Sequence, residues 1–219
     1  MSKPDSWNLR DRVEEFIEDV EESLEDAWYA FKSYAEMTDL GEVARRYAVT
    51  NSFDGLLTVL GVVVGSYVYG VADPKTVISA GVGAVVGIAL SAAVGTYITE
   101  IAERSQEIRE MEAAVFTSLR KSVVAKAHRI SAVVISLASS LVPASFTTLA
   151  LSPFFMAARG TMTVHLAFLS SVGLILGSLF VLGAYLGRLS GGRVLFYGLV
   201  EVGVGVLIVA VLLAIGATP

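Results

Sequence analysis

Residues 194–216 read VLFYGLVEVGVGVLIVAVLLAIG, and this run decides the class of fold. A single ionisable side chain, Glu201, interrupts it. At 1.5 Å per residue a helix of this length spans about 34 Å, enough to cross a hydrocarbon core of about 30 Å. Lipid offers backbone amides no partner, so a run this apolar crosses as a helix that bonds its own amides. Four more apolar runs lie upstream, near 52–72, 77–99, 130–151 and 163–187. Pro143 interrupts the third among serines, which reads as a kinked membrane helix whose freed carbonyl is satisfied by neighbours. The expected fold is all-α, a polytopic membrane protein with five transmembrane helices.

Composition agrees. Of 219 residues, 54% are hydrophobic and 17% charged, against about a quarter charged in a soluble domain. Mean hydropathy is +0.68. The net charge of −5 describes the polar segments only: 13 of the 21 acidic residues precede position 43, and five more lie between Glu100 and Glu112. The absence of cysteine excludes disulfides and thiolate metal sites. The first 40 residues contain no apolar core of the signal-peptide kind, so the first membrane helix is expected to drive insertion. The expected organisation is an acidic segment over 1–42, helices one and two over 43–99, a polar helical segment over 100–129, and helices three to five over 130–219.

Orientation follows from the basic residues. Lys3, Arg10, Arg12, Lys32, Arg45 and Arg46 precede helix one; Arg104, Arg109, Arg120, Lys121, Lys126 and Arg129 separate helices two and three; Arg188 and Arg193 follow helix four. The other side has Lys75 and Arg159. Fourteen against two places the N-terminus in the cytoplasm and the C-terminus outside, at the plasma membrane if the cell is prokaryotic. Residues 8–37 read as one cytosolic amphipathic helix, with Val13, Phe16, Ile17, Val20, Leu24, Ala27, Trp28, Phe31 and Tyr34 at helical spacing. Its acidic polar face argues against an anionic leaflet and for packing on its own protein or on a partner, with Arg120 to Arg129 a natural counterpart. Glycines four apart (Gly61 and Gly65, Gly83 and Gly87, Gly173 and Gly177, Gly183 and Gly187) signal close helix packing.

Three groups of residues carry the chemistry. Asp54 follows Asn51 in helix one, and an unpaired carboxylate inside a bilayer costs a few kcal/mol, so such residues mark cavities or ion paths. The competing reading is that helix one starts late and Asp54 caps it in water. Glu100, Glu103, Glu107 and Glu110 recur at steps of three and four, which puts them on one helical face. Carboxylate clusters suit hard or borderline divalent cations, although such a stripe also serves as a solvated face with local ion pairs. If it gathers metal, its members must face one another across a dimer, or face residues 8–37 or 112–129, with binding that weakens as protons compete at low pH. Glu201 either faces a pathway or reaches for the cytosolic interface. His128 and His165 sit at helix ends and read as surface or interface histidines. No phosphate loop, nucleophile–base pair or nucleic-acid motif appears, and Gly81-Val82-Gly83 lies inside a membrane run. The chain reads as a non-enzyme with no nucleic-acid partner.

Arg45-Arg46-Tyr47 followed by Thr50-Asn51-Ser52-Phe53-Asp54-Gly55-Leu56-Leu57-Thr58 resembles the first helix of the vacuolar iron transporter family. Ala89 to Tyr97 resembles the end of its second helix, Ser140-Leu141-Val142-Pro143 its third, and Leu182 to Leu189 the end of its fourth. The likeness runs in order from about 45 to 216. It implies a homodimer that moves Fe2+, and often Mn2+, out of the cytosol in exchange for protons, with the metal as cargo and no permanently bound cofactor. It also implies that Asp54 lines the path, where it would alternate between a metal-bound carboxylate and a protonated acid, and that the 100–110 glutamates gather metal. Asn51, Ser91, Thr96 and Glu201 are further candidates for the path. The family's membrane Met corresponds to Ala92 and its Gly-Glu-Tyr glutamate to Thr96, so a thioether and a carboxylate are missing from the expected site. These departures motivate an alternative: a membrane scaffold with a degenerate site that recruits partners through residues 8–37.

Overall fold

The computed structural model describes residues 40–116 and 123–216, together with Glu14, Ile17, Tyr29 and Lys32. Those four are helical and exposed. The rest of the expected 8–37 helix, and Arg120 and Lys121 of its suggested counterpart, lie outside the described residues. The chain divides into two units, one holding residues 1–41 and 99–133 and the other 42–98 and 134–219.

Five α-helices account for nearly all the described chain: α1 Leu40–Val68, α2 Pro74–Val115, α3 Val123–Ala158, α4 Val164–Leu189 and α5 Val194–Gly216. No strand occurs among the described residues. All five are long and apolar enough to cross a membrane. The protein is a multi-pass helical membrane protein. α2 and α3, at 42 and 36 residues, far exceed the roughly 20 that a crossing needs.

Local chemistry explains where the helices stop. α1, α3 and α4 end in the same motif: Gly70, Gly160 and Gly191 adopt φ of +70°, +76° and +65°. The amide after each glycine bonds back across the last turn, Val71 N to Ser66 O at 2.9 Å, Thr161 N to Met156 O at 3.2 Å and Gly192 N to Gly187 O at 3.0 Å. This left-handed position ends α1 at Val68, short of the apolar limit near 72. α2 opens on an Asp-Pro start. The Asp73 carboxylate accepts from Lys75 N at 3.2 Å and from the Thr76 hydroxyl at 3.0 Å, while Pro74 fills the first helical position without wasting an amide. Thr163 caps α4 by accepting from Leu166 N.

The larger unit has one apolar core. Leu56, Val59, Leu60 and Val63 of α1 meet Val77 and Val85 of α2, Leu151 and Phe154 of α3, and Phe168, Ile175 and Leu179 of α4. The outer faces are equally apolar, with Leu90, Leu141, Leu169, Val181, Leu199 and Leu207 all exposed, as a lipid-facing surface requires. Packing therefore depends on shape, small residues and hydrogen bonds between helices. α4 and α5 form a tight hairpin. A Cβ placed on Gly183 would lie 2.6 Å from Tyr197 O, and one on Gly187 would lie 2.8 Å from Val194 Cα. Serines tie the remaining helices: Ser136 Oγ donates to Ala93 O at 2.7 Å and Ser171 Oγ to Ala150 O at 2.6 Å.

Two outcomes test this account. Gly183→Val overpacks the α4–α5 hairpin against rigid backbone and lowers stability by about 1–3 kcal/mol in detergent unfolding, whereas Gly83→Ala, with nothing within 4 Å of its added methyl, leaves it nearly unchanged. The Asp73 cap is pH-dependent. The Lys75 amide, then the Thr76 hydroxyl, hold its carboxyl below the ordinary 3.8, so folding favours the charged form. Its contribution is full above pH 3.8 and is lost as pH falls through the lower folded-state value. The Tm deficit of Asp73→Ala is therefore present at neutral pH and vanishes in acid.

Candidate functional site

α1 begins at Leu40, fourteen residues and about 21 Å before Asp54. Asp54 is therefore a mid-helix residue, which removes the reading of it as a helix cap. Its side chain is exposed, on the stripe that Thr58, Gly61 and Gly65 continue at helical spacing. Thr58 bonds within the helix, donating to Asp54 O at 2.7 Å, and no atom lies within 4 Å of a Cβ added at Gly61 or Gly65.

The neighbouring face of α1 is committed to α3. Pro143 has no amide proton, so the Ser139 carbonyl one turn earlier loses its helical donor. The Asn51 side-chain amide donates to that carbonyl at 3.1 Å. One turn on, a Cβ at Gly55 would lie 2.9 Å from Thr147 Cγ2 and 3.8 Å from Pro143 Cβ, so glycine lets α1 settle onto the kink. Asn51, placed above among the path candidates, thus has a bonding partner inside the fold, and Asp54 faces away from it. Ala92, where a thioether was expected, offers its carbonyl to Ser139 Oγ at 3.3 Å.

Ser91 is exposed and Thr96 buried on α2. Glu201 is half-buried on α5, its stem lying in the space that Gly183 leaves, 2.9 Å from where a Cβ there would stand. His165 is exposed and stacks at 6.0 Å on Tyr67.

The smaller unit holds the glutamate stripe, and its four members part company. Glu100 is 1% exposed, while Glu103, Glu107 and Glu110 are exposed. Arg104 lies between two of them, with Nε 3.7 Å from Glu100 and Nη1 3.0 Å from Glu107. Gln106 donates to Glu110 at 3.1 Å. His128 of α3 brings Nδ1 to 4.0 Å from Glu107. It is buried, at 4% exposure, so of the two readings, surface or interface, the contact with α2 is the one it follows. The signal missed was spacing across helices, which one sequence does not display. Within the described residues of one chain, no three His, Asp or Glu side chains converge on a point that would hold a metal ion.

A carboxylate on an open stripe of a helix long and apolar enough to cross a membrane is the kind of residue that marks an ion path. Comparison with known proteins gives the family. A family model described as the VIT family matches residues 45–116, which take in α1 from Arg45, Asp54 and the whole glutamate stripe. An uncharacterized protein of Methanocaldococcus jannaschii is 30% identical over 175 residues, 78% of this chain and 87% of that protein. The chain belongs to the VIT family, the vacuolar iron transporters, whose members transport metal ions.

The split within the stripe predicts unequal mutants. Glu100→Ala leaves the Arg104 guanidinium without its buried carboxylate and lowers unfolding stability by about 1–3 kcal/mol. Glu103→Ala and Glu110→Ala, both exposed, stay within about 0.5 kcal/mol. Equal losses at all three positions would contradict the burial pattern.

Proposed function

We propose that the protein exports a divalent transition metal, Fe2+ or Mn2+, from the cytosol in exchange for protons, and that it works as a homodimer. The observation that carries this reading is Asp54: a carboxylate exposed on the surface of a single chain, fourteen residues inside a membrane-crossing helix. Hydrocarbon is a poor neighbour for it, so its stripe faces either protein or water in the working assembly. A second copy seated on Asp54, Thr58, Gly61 and Gly65 supplies both. The glycines let the two backbones approach, and two carboxylates face each other across the axis of a two-fold pair. Facing carboxylates repel unless a cation or a proton lies between them, which gives the pair two neutralised states and a means of exchanging metal for protons. Oxygen donors suit Mn2+ and Fe2+ among the available cations. The fourteen-to-two bias of basic residues supports a cytoplasmic N-terminus and an outer C-terminus. Glu103 and Glu110, exposed beyond the membrane run of α2, are suited to concentrate cations at the cytosolic mouth.

Proteoliposomes loaded with a pH dye and challenged with Fe2+, Mn2+, Mg2+ and Ca2+ test the reading. Metal-driven proton movement is expected for Fe2+ or Mn2+, and Asp54→Asn lowers it at least about tenfold, the scale of one lost charge-assisted contact. Normal transport by that variant would refute the role of Asp54. Gly65→Leu separates assembly from folding. With open space at its own flank it leaves the monomer's Tm unchanged but shifts purified protein from dimer toward monomer.

A further inference from the structure

A cavity of about 320 Å3 in the smaller unit has no part in the reading above. It lies between the stretch of α2 from Ile101 to Glu112 and the pair His128–Arg129 of α3. Its volume falls at the lower end of the range of small-molecule pockets, roughly 300–1,000 Å3. Three guanidiniums line it, those of Arg104, Arg109 and Arg129, with the Ser105 hydroxyl, the His128 ring and one carboxylate, Glu112.

The charges there are not equivalent. Arg104 is occupied by Glu100 and Glu107. Arg109 and Arg129 are exposed, and neither forms an ion pair or hydrogen bond among the described residues. The lining itself carries three guanidiniums against one carboxylate, Glu112, and the two that hold no ion pair are placed to meet an anion rather than a metal cation. Guanidiniums match the paired oxygens of a phosphate, and Ser105 adds a hydroxyl that donates or accepts. Two isoleucines complete the wall and suit the carbon part of an ester better than a bare ion.

We propose that this cavity binds a phosphate ester, with Arg109 and Arg129 as its principal donors. Arg129 stands one residue before the apolar run that starts at 130, so the cavity lies at the level where a polar helix end gives way to lipid. Basic pockets between membrane helices at that level take anionic headgroups. A soluble phosphate ester offers the same chemistry, and experiment separates the two. The inference concerns this pocket alone and holds whichever metal is carried.

Thermal unfolding of the delipidated full-length protein in detergent, with defined additions, provides the test. Phosphatidylglycerol in mixed micelles is expected to raise Tm by several degrees over phosphatidylcholine, as ligand binding to the folded state requires. The double variant Arg109→Gln/Arg129→Gln loses that gain, and Arg188→Gln/Arg193→Gln, altered at the α4–α5 turn, keeps it. Glycerol 3-phosphate added alone discriminates the source: a gain equal to that of phosphatidylglycerol assigns the site to soluble esters, and no gain assigns it to lipid. Both outcomes support the site if the Arg109/Arg129 variant is blind to the active compound. Arg109→Gln alone guards against a folding defect in the double variant, and it weakens the apparent affinity by about tenfold. An identical Tm gain in wild type and in the Arg109 variants, or no gain from either compound in wild type, overturns the proposal.

Discussion

The Ser139 carbonyl has lost its helical donor to Pro143, and the contact between α1 and α3 satisfies it. In water a freed carbonyl would be solvated at no great cost. Inside a bilayer it must find a protein donor, because an unsatisfied group costs several kcal/mol. Asn51 supplies that donor from α1, and Gly55 removes the side chain that would hold the two helices apart at Thr147. One hydrogen bond and one missing methyl thus fix the rotation of α1. With 100° between successive residues, directing Gly55 at α3 turns Asp54 toward the open face. The exposure of Asp54 follows from how its neighbours on either side are used.

The same constraint explains what was legible in the sequence. Five apolar runs stand out because lipid demands twenty or so apolar residues in each crossing, and the five helices fall on them. The ends were not read from the sequence and differ from the apolar limits by several residues, because residues with a local job set them: Asp73-Pro74 starts α2, and Gly70, Gly160 and Gly191 stop α1, α3 and α4. Polar residues in the membrane were harder to read. Asn51 and Asp54 lie three apart in one helix and looked like members of one path, yet one bonds the kink and the other faces outward. Which of two polar neighbours is used inside the fold depends on the position of α3, and pattern within one helix does not report it.

The glutamate stripe shows the limit of helical periodicity in another way. Steps of three and four put Glu100, Glu103, Glu107 and Glu110 on one side of α2, but a helix side is broad and only part of it is covered. Glu100 is enclosed and shares Arg104 with Glu107, while Glu103 and Glu110 remain in the open. A carboxylate held by an arginine is a poor metal ligand, because the cation must displace a charge already in place. The stripe therefore combines two members held by Arg104 with two that are exposed. His128 joins it from α3 at Glu107, a contact that no spacing within α2 could announce.

These placements bear on how the chain differs from the pattern of its family. Ala92 and Thr96 stand where a thioether and a carboxylate were expected, and both belong to a stretch of α2 that is used in packing: Ala92 offers its carbonyl to Ser139, and Thr96 is buried. The stretch of α2 that meets the kink thus carries neither the expected soft ligand nor the expected charge, while the carboxylate of Asp54 stands on the open face. For the metal path proposed above, a set without the thioether would be dominated by oxygen, which would favour Mn2+ relative to its competitors more than a sulfur-containing set does. In the proposed dimer, selectivity would rest on carboxylate geometry and on the fit of two facing α1 helices, so metal preference and dimer stability are expected to change together when the Gly61–Gly65 stripe is altered.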